Sequence, residues 1–145
     1  MSLGKIYSNA VISISENGTI HECAKLMKEK HVGTVLVLSE QGDKKPLGII
    51  TDRDIVVKIV SKKNDLSNIK VTEVMSTDLL LLPKQQGIKE AIEAMKSKGV
   101  RRVPILDDDK KVCGIVSVDD LIMLLVNELS SLSGLIKDQL SPDNQ

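Results

Sequence analysis

The chain has 145 residues, 41% apolar and 28% charged, with 20 basic residues balanced by 20 acidic ones. That length serves one compact domain or two small halves sharing a core, and zero net charge offers no field to gather nucleic acid or an anionic membrane. Aromatics are nearly absent, Tyr7 standing alone without Phe or Trp, so the core must be aliphatic and bases would find no stacking platform.

No apolar run approaches the roughly 20 residues of a membrane helix, and the first residues show no secretory pattern. Cys23 and Cys113 each lie in an apolar pattern, which predicts free, buried thiols and a cytoplasmic location. Residues 1–10 carry little pattern and read as an arm. Residues 11–14 are a short strand candidate, stopped by Glu16, Asn17 and Gly18. Thr19 can cap the next helix with Glu22 in the reciprocal position of a capping box, and Ile20, Cys23, Ala24 and Met27 follow at i, i+3, i+4, i+7, one apolar stripe. Residues 35–38 form a β-branched strand, Gln41, Gly42 and Asp43 supply turn chemistry, and residues 47–50 form another strand. Thr51 stands at the N-cap of a second helix expected to reach about Val60, with Asp54 three residues on, an [ST]xx[DE] start. Residues 62–68 are polar and turn-rich, a linker, and residues 71–75 add a helical turn.

The pattern then restarts. Residues 79–82 predict a strand closed by Pro83, and Ile88, Ala91, Ile92 and Met95 repeat the helical stripe. Residues 103–106 and 112–116 are strands around an acidic turn, and a helix follows Ser117. A shift of 68 positions superposes Ile20 on Ile88, Met27 on Met95 and Val35 on Val103. After the shorter second turn the shift is 66, which sets Thr51 on Ser117 and Asp54 on Asp120. Units this small are not comfortable alone. The fold class expected is therefore α/β (α+β): two β-α-β-β-α repeats over 11–61 and 77–128 packed around a pseudo-two-fold axis, with a linker over 62–76 and a helical tail over 129–145. Val56, Val57, Ile59 and Val60, like residues 122–126, make the second helices apolar nearly all round, which predicts a homodimer through them. Leu125, Leu129, Leu132, Ile136 and Leu140 keep helical spacing, so a long or broken helix should lie on the body or on a partner.

The repeated pieces are Gly48-Ile49-Ile50-Thr51-Asp52-Arg53-Asp54 and Gly114-Ile115-Val116-Ser117-Val118-Asp119-Asp120. With them go Val74-Met75-Ser76 and residues 99–107, Gly-Val-Arg-Arg-Val-Pro-Ile-Leu-Asp. Together and in order, over about residues 11–128, they resemble a tandem pair of cystathionine β-synthase (CBS) domains, the arrangement called a Bateman module. The resemblance implies a cleft between repeats that takes an adenosyl ligand such as AMP, ADP, ATP or S-adenosylmethionine. It implies that Asp54 and Asp120 accept hydrogen bonds from ribose hydroxyls, that Thr51 and Ser117 face phosphate at helix N-termini, and that Arg101 and Arg102 reach phosphate. Adenine would lie near Ile50, Val116 and the first strand of each unit. The two sites are expected to be unequal. Gly33-Thr34 occupies the place of Arg101-Arg102, and Arg53, a further candidate contact, is replaced by Asp119, whose carboxylate would repel phosphate.

Capping alone also explains Thr51/Asp54 and Ser117/Asp120, at about 1 kcal/mol each, and is compatible with ligand contact. His21 and His31 read as surface residues, with no third ligand at metal spacing. No nucleophile–histidine arrangement, Walker loop or GxGxxG is present, so no catalysis is expected. Two functions stay open: a regulatory module sensing an adenosyl ligand, and a ligand-independent dimerisation or scaffold module for a protein partner.

Overall fold

Each half of the chain builds the same three-stranded sheet. In the first, β1 (Ser13–Ser15) runs parallel to β2 (Thr34–Leu38), which pairs antiparallel with β3 (Pro46–Thr51). In the second, β4 (Leu82–Pro83), β5 (Arg102–Leu106) and β6 (Val112–Ser117) repeat the order and the directions. The correspondence extends to the register: Thr34 pairs with Thr51 as Arg102 pairs with Ser117, and both ladders shift at the same step, after Val37 and after Ile105. The mixed α/β architecture with two equivalent units, expected from the repeat, is the one observed in this computed structural model, which describes residues 2–7, 11–41, 45–62 and 65–140. Gly42 and Asp43 of the predicted turn, part of the predicted linker and residues 141–145 lie outside the described residues.

The parallel strands are joined by α1 (Ile20–Lys30) and α3 (Ile88–Lys98). The predicted capping box starts α1: Glu22 N donates to Thr19 Oγ1 at 3.2 Å, and Thr19 N donates to Glu22 Oε2 at 2.8 Å. Beneath the helices lie two aliphatic cores. Ile20, Cys23, Met27, Val35, Val37 and Ile50 belong to one, and Ala91, Met95, Val103, Ile105 and Val116 to the other. Burial pushes the Cys23 thiol up to about 11. Cys113 donates to Ile105 O at 3.4 Å, and both cysteines are free thiols.

The N-terminal stretch is more than an arm. Leu3 is fully buried in the second core. Its N–H donates to Gln86 O at 3.0 Å, Gly4 N–H donates to Lys84 O at 2.8 Å, and Ser2 bridges Gly87. The same arrangement recurs in the first half, supplied from residues 69–73. Val71 is fully buried, its N–H donates to Gly18 O at 3.0 Å, and Lys70 bridges Thr19. A 3-10 turn forms at each place, Leu3–Lys5 and Val71–Glu73. Each half is thus closed by the segment that precedes the other. A single buried anchor in a short turn has no periodicity, which is why the sequence pattern missed it.

Three elements differ from expectation. β1 and β4 begin later than residues 11 and 79; ahead of β1, Ile12 O still accepts from Leu36 N at 3.0 Å, and Val11 and Ile12 line the cleft described below. β4 ends on Pro83 rather than before it, tolerable on an edge strand where the missing N–H is not needed. The helix after Thr51 does reach Val60, but only α2 (Asp52–Asp54) is α-wound, and Ile55–Val60 form a π-helix. Ser61 N–H reaching Val56 O at 3.2 Å closes the wide turn, in a run of β-branched residues that crowd a regular helix. Ile55 and Ile59 are buried, while Val56, Val57 and Val60 are more than half exposed.

The last helix, α4 (Val118–Leu140), is unbroken, passing through Ser130, Ser131, Ser133 and Gly134 and past residue 128 where the tail was expected to begin. Ser131 Oγ bonds back to Asn127 O at 3.0 Å, satisfying a hydroxyl that would otherwise compete with the ladder. Leu129, Leu132, Leu135, Ile136 and Leu140 are all more than half exposed. Among the described residues no helix is long and apolar enough to cross a membrane.

Candidate ligand site

Both β-strand-to-helix turns carry the reciprocal cap. Asp54 N–H donates to Thr51 Oγ1 at 3.1 Å and Thr51 N–H donates to Asp54 Oδ2 at 3.0 Å. The Ser117 and Asp120 pair repeats this at 3.1 and 2.8 Å. The second carboxylate oxygens differ. Asp54 Oδ1 is ion-paired with Lys58 Nζ at 3.2 Å, and the same ammonium donates to Val74 O at 3.2 Å. The residue one turn after Asp120 is Leu124, which offers no such charge. Partial burial, the largest single influence on Asp54, works to raise its pKa, but the bonds from Thr51 and the Lys58 ammonium outweigh it and hold the carboxyl below its ordinary value.

Between the halves lies a cleft of ≈ 200 Å³. Leu36 and Ile49 line it from the first sheet, Ile115 and Arg102 from the second, and His31, Gly33 and Thr34 stand at its rim. Strand alternation decides which side chains reach it. Ile50 and Val116, expected as adenine walls, are 0% and 1% exposed and point the other way, into the two cores. Ile49 and Ile115, one residue earlier in each strand, are the ones that face the cleft. A shift of one residue exchanges the faces of a strand, and here both faces are apolar, so no polarity along the strand marks the one that meets the cleft.

The same alternation separates the two arginines. Both are exposed, but Arg102 lines the cleft, while the Arg101 guanidinium lies 4.0 Å from Asp119. Arg101 borders an apolar groove between α3 and α4 lined by Ile92, Val100, Leu121, Ile122 and Leu125. Thr51 and Ser117 are the cross-strand neighbours of Thr34 and Arg102, which puts both capped helix starts beside cleft-lining residues. Asp54 and Asp120 lie half-buried one turn further on, and Arg53 is exposed on α2. Gly33 has a local reason to differ from Arg101: the Asp52 carboxylate lies 3.0 Å from where its Cβ would stand, and Asp52 N–H donates to Gly33 O at 3.0 Å. In the second half Val118 occupies the place of Asp52, leaving room for a side chain at Arg101.

Besides Ile49 and Ile115, the cleft takes in a residue with no predicted ligand role. His31, read as a surface histidine, is exposed as expected and also borders the cleft, as the C-cap of α1 with φ 55° and ψ 43°. The shift of 68 places it on Gly99, which caps α3 with φ 70°. A histidine where the other repeat uses a left-handed glycine was the signal available.

Two copies of one strand–helix–strand–strand–helix unit, sharing a cleft and each opening its last helix on a hydroxyl–carboxylate cap, define a paired-repeat module. The chain belongs to the CBS domain family, whose model matches residues 3–61 and 71–127. It is 39% identical over 123 residues to the CBS domain-containing protein YhcV of Bacillus subtilis, covering 85% of this chain and 82% of that one. It is 34% identical over 124 residues to an uncharacterized protein of Methanopyrus kandleri, covering 86% of this chain but only 62% of the relative, so it spans less than two thirds of that protein's length. Among solved structures, the CBS domain pair of MJ0100 in complex with 5-methylthioadenosine and S-adenosyl-L-methionine superposes with a TM-score of 0.74 at 26% identity, covering 88% of this chain and 98% of that one.

Proposed function

We propose that the chain is a non-catalytic regulatory module that binds an adenosyl ligand between its halves. The observation that carries this reading is the cleft itself: aliphatic side chains from both sheets face one another, with Thr34 and Arg102 beside the two capped helix N-termini. The MJ0100 pair, which binds such ligands, supports it. In this reading Ile49 and Ile115 flank adenine, Asp54 and Asp120 accept from ribose hydroxyls, and Thr51, Ser117 and Arg102 serve the phosphate. Arg53 and Arg101 stay peripheral. Asp54 has both oxygens engaged, one by Thr51 and one by Lys58, whereas Asp120 has no lysine one turn on. Asp120 is therefore the better ribose acceptor. The balanced charge and free thiols suit the cytoplasm.

Calorimetric titration with AMP, ADP, ATP and S-adenosylmethionine tests the site. Asp120→Ala is expected to weaken the bound ligand at least tenfold and Asp54→Ala less; equal affinity in wild type and both variants would remove the assignment. The exposed apolar residues of the π-helix and α4 favour a second copy as partner, with ligand binding shifting the pose of the protomers. Sedimentation at micromolar concentration should show a dimer, and a monomer would sink that part of the reading.

A further inference from the structure

The matched family model ends at residue 127, yet α4 continues to Leu140, and from Leu125 onward every described side chain is exposed. The polar residues of this stretch are poor helix formers: Ser130, Ser131, Ser133 and Gly134 fall close together. A helix of about a dozen such residues is marginal in water by itself, and helices of this kind are held by packing of an apolar face. The face is present. Ile122, Leu125, Leu129, Leu132 and Ile136 follow one another at alternating steps of three and four residues, and each is half exposed or more. That is the seam of a coiled coil, with Ile122, Leu129 and Ile136 at the first core position of the heptad and Leu125, Leu132 and Gln139 at the second. From residue 127 on, the positions turned away from the seam hold Asn127, Ser130, Ser131, Gly134, Lys137 and Asp138.

We propose that residues 122–140 of α4 pair with the same segment of a second copy as a parallel, two-stranded coiled coil, a stem with both modules at one end. This rests on the second-copy reading above and gives it an orientation. Isoleucine at the first core position with leucine at the second favours two parallel strands, and two of the three first positions are isoleucine here. A parallel pair stacks each seam residue on its own counterpart, in five apolar layers that end on a Gln139 layer whose amides bond to each other. An antiparallel pair loses a layer: seating Leu129 on the partner's Leu132 sets Ile122 against the partner's Gln139, an amide facing an aliphatic side chain. The parallel pair also covers what the seam leaves. Leu135 and Leu140, exposed on its two flanks, stand five residues apart, the offset at which flanking positions of parallel strands meet. Glu128 meets the partner's Ser133 by the same offset, so no like charges are opposed.

Sedimentation of the full chain and of single variants tests the stem. Leu132 is exposed, so Leu132→Glu opens no cavity and puts two carboxylates into one central layer. It should raise the dimer dissociation constant at least a hundredfold, and Val57→Glu, on the π-helix outside the stem, should raise it less. Orientation is read with Gln139→Cys, which leaves all five apolar layers in place. Under a mild thiol oxidant residue 139 should join its own counterpart, seen as a covalent dimer and a linked peptide in mass spectrometry. In the antiparallel pair the two would stand about 25 Å apart along the stem. A wild-type dimer that Leu132→Glu leaves intact overturns the stem and leaves the second-copy reading to the π-helix. Loss of the dimer in Leu132→Glu without a link at residue 139 overturns the parallel orientation. A wild-type monomer at micromolar concentration overturns the stem and the second-copy reading together, and none of these results touches the adenosyl reading.

Discussion

The first and second halves share their antiparallel ladders residue for residue, down to the shift after Val37 and Ile105, and they diverge at a few matched places. Where the first half has Gly33 under the Asp52 carboxylate, the second has Arg101 beside Val118. Where the first has Asp54 tied to Lys58, the second has Asp120 with Leu124 one turn on. Where α1 ends on His31, α3 ends on Gly99. The helix after the cap is π-wound in one half and a 23-residue α-helix in the other. What is kept is what the backbone demands: buried residues alternating with the pleat, and a hydroxyl and carboxylate closing each helix start. What has changed lies at the cleft and on the outer helices, and at Gly33 and Arg101 the change goes with a second, Asp52 against Val118. Symmetry of the fold therefore does not give symmetry of the surfaces that the two halves turn to the cleft.

The most forceful way to break the equivalence is to remove an exchanged anchor. Leu3→Ala should lower stability by about 2–5 kcal/mol, the range for a buried leucine truncated in a core, read as a lower calorimetric midpoint. Val71→Ala, which removes less volume, should cost less. A Leu3→Ala midpoint equal to wild type would mean that the N-terminal turn does not close the second half. Thr51→Ala and Ser117→Ala probe the caps, each expected to cost about 1 kcal/mol. Similar losses without ligand would keep the halves equivalent as folding units, and a loss in one alone would break that equivalence.

The smallest effect belongs to Lys58→Ala, about 0.2–1 kcal/mol for a partly exposed ion pair at neutral pH. Its signature is the pH dependence. The folded Asp54 carboxyl is held below its ordinary value, so its contribution is fully present above the unfolded value, about 3.9, and is lost as pH falls through the folded one. Removing Lys58 should flatten that acid loss in denaturant titrations run from pH 7 downward. An acid profile identical to wild type would show that Thr51 alone holds the carboxyl down.

Much of this was legible in the residues. The [ST]xx[DE] spacing gave both caps, because a reciprocal bond fixes its partners three residues apart. The i, i+3, i+4, i+7 stripes gave α1 and α3, and the shift of 68 gave the repeat. The cleft was not legible to the same degree. Ile49-Ile50 and Ile115-Val116 are apolar on both faces, so the alternation that places a half-exposed strand says nothing here about which residue meets a ligand. The π-winding of Ile55–Val60 has no spacing rule of its own, and weak helix formers such as Ser133 and Gly134 obscured the continuity of α4. The exchange of the two turns depends on contacts between distant parts of the chain, which no local window contains.

That exchange also sets an order in time. The turn at Leu3 is synthesised well before the groups it docks on, Lys84, Gln86 and the second core. The turn at Val71 follows directly on the half it closes, so the first half can be completed while the rest is still being made. The second half must be met by a segment that precedes the whole first half, a contact of long sequence separation and correspondingly slow closure. Until then Leu3 and Ile6 stay uncovered on the nascent chain, and a segment made before either half is among the last to be packed.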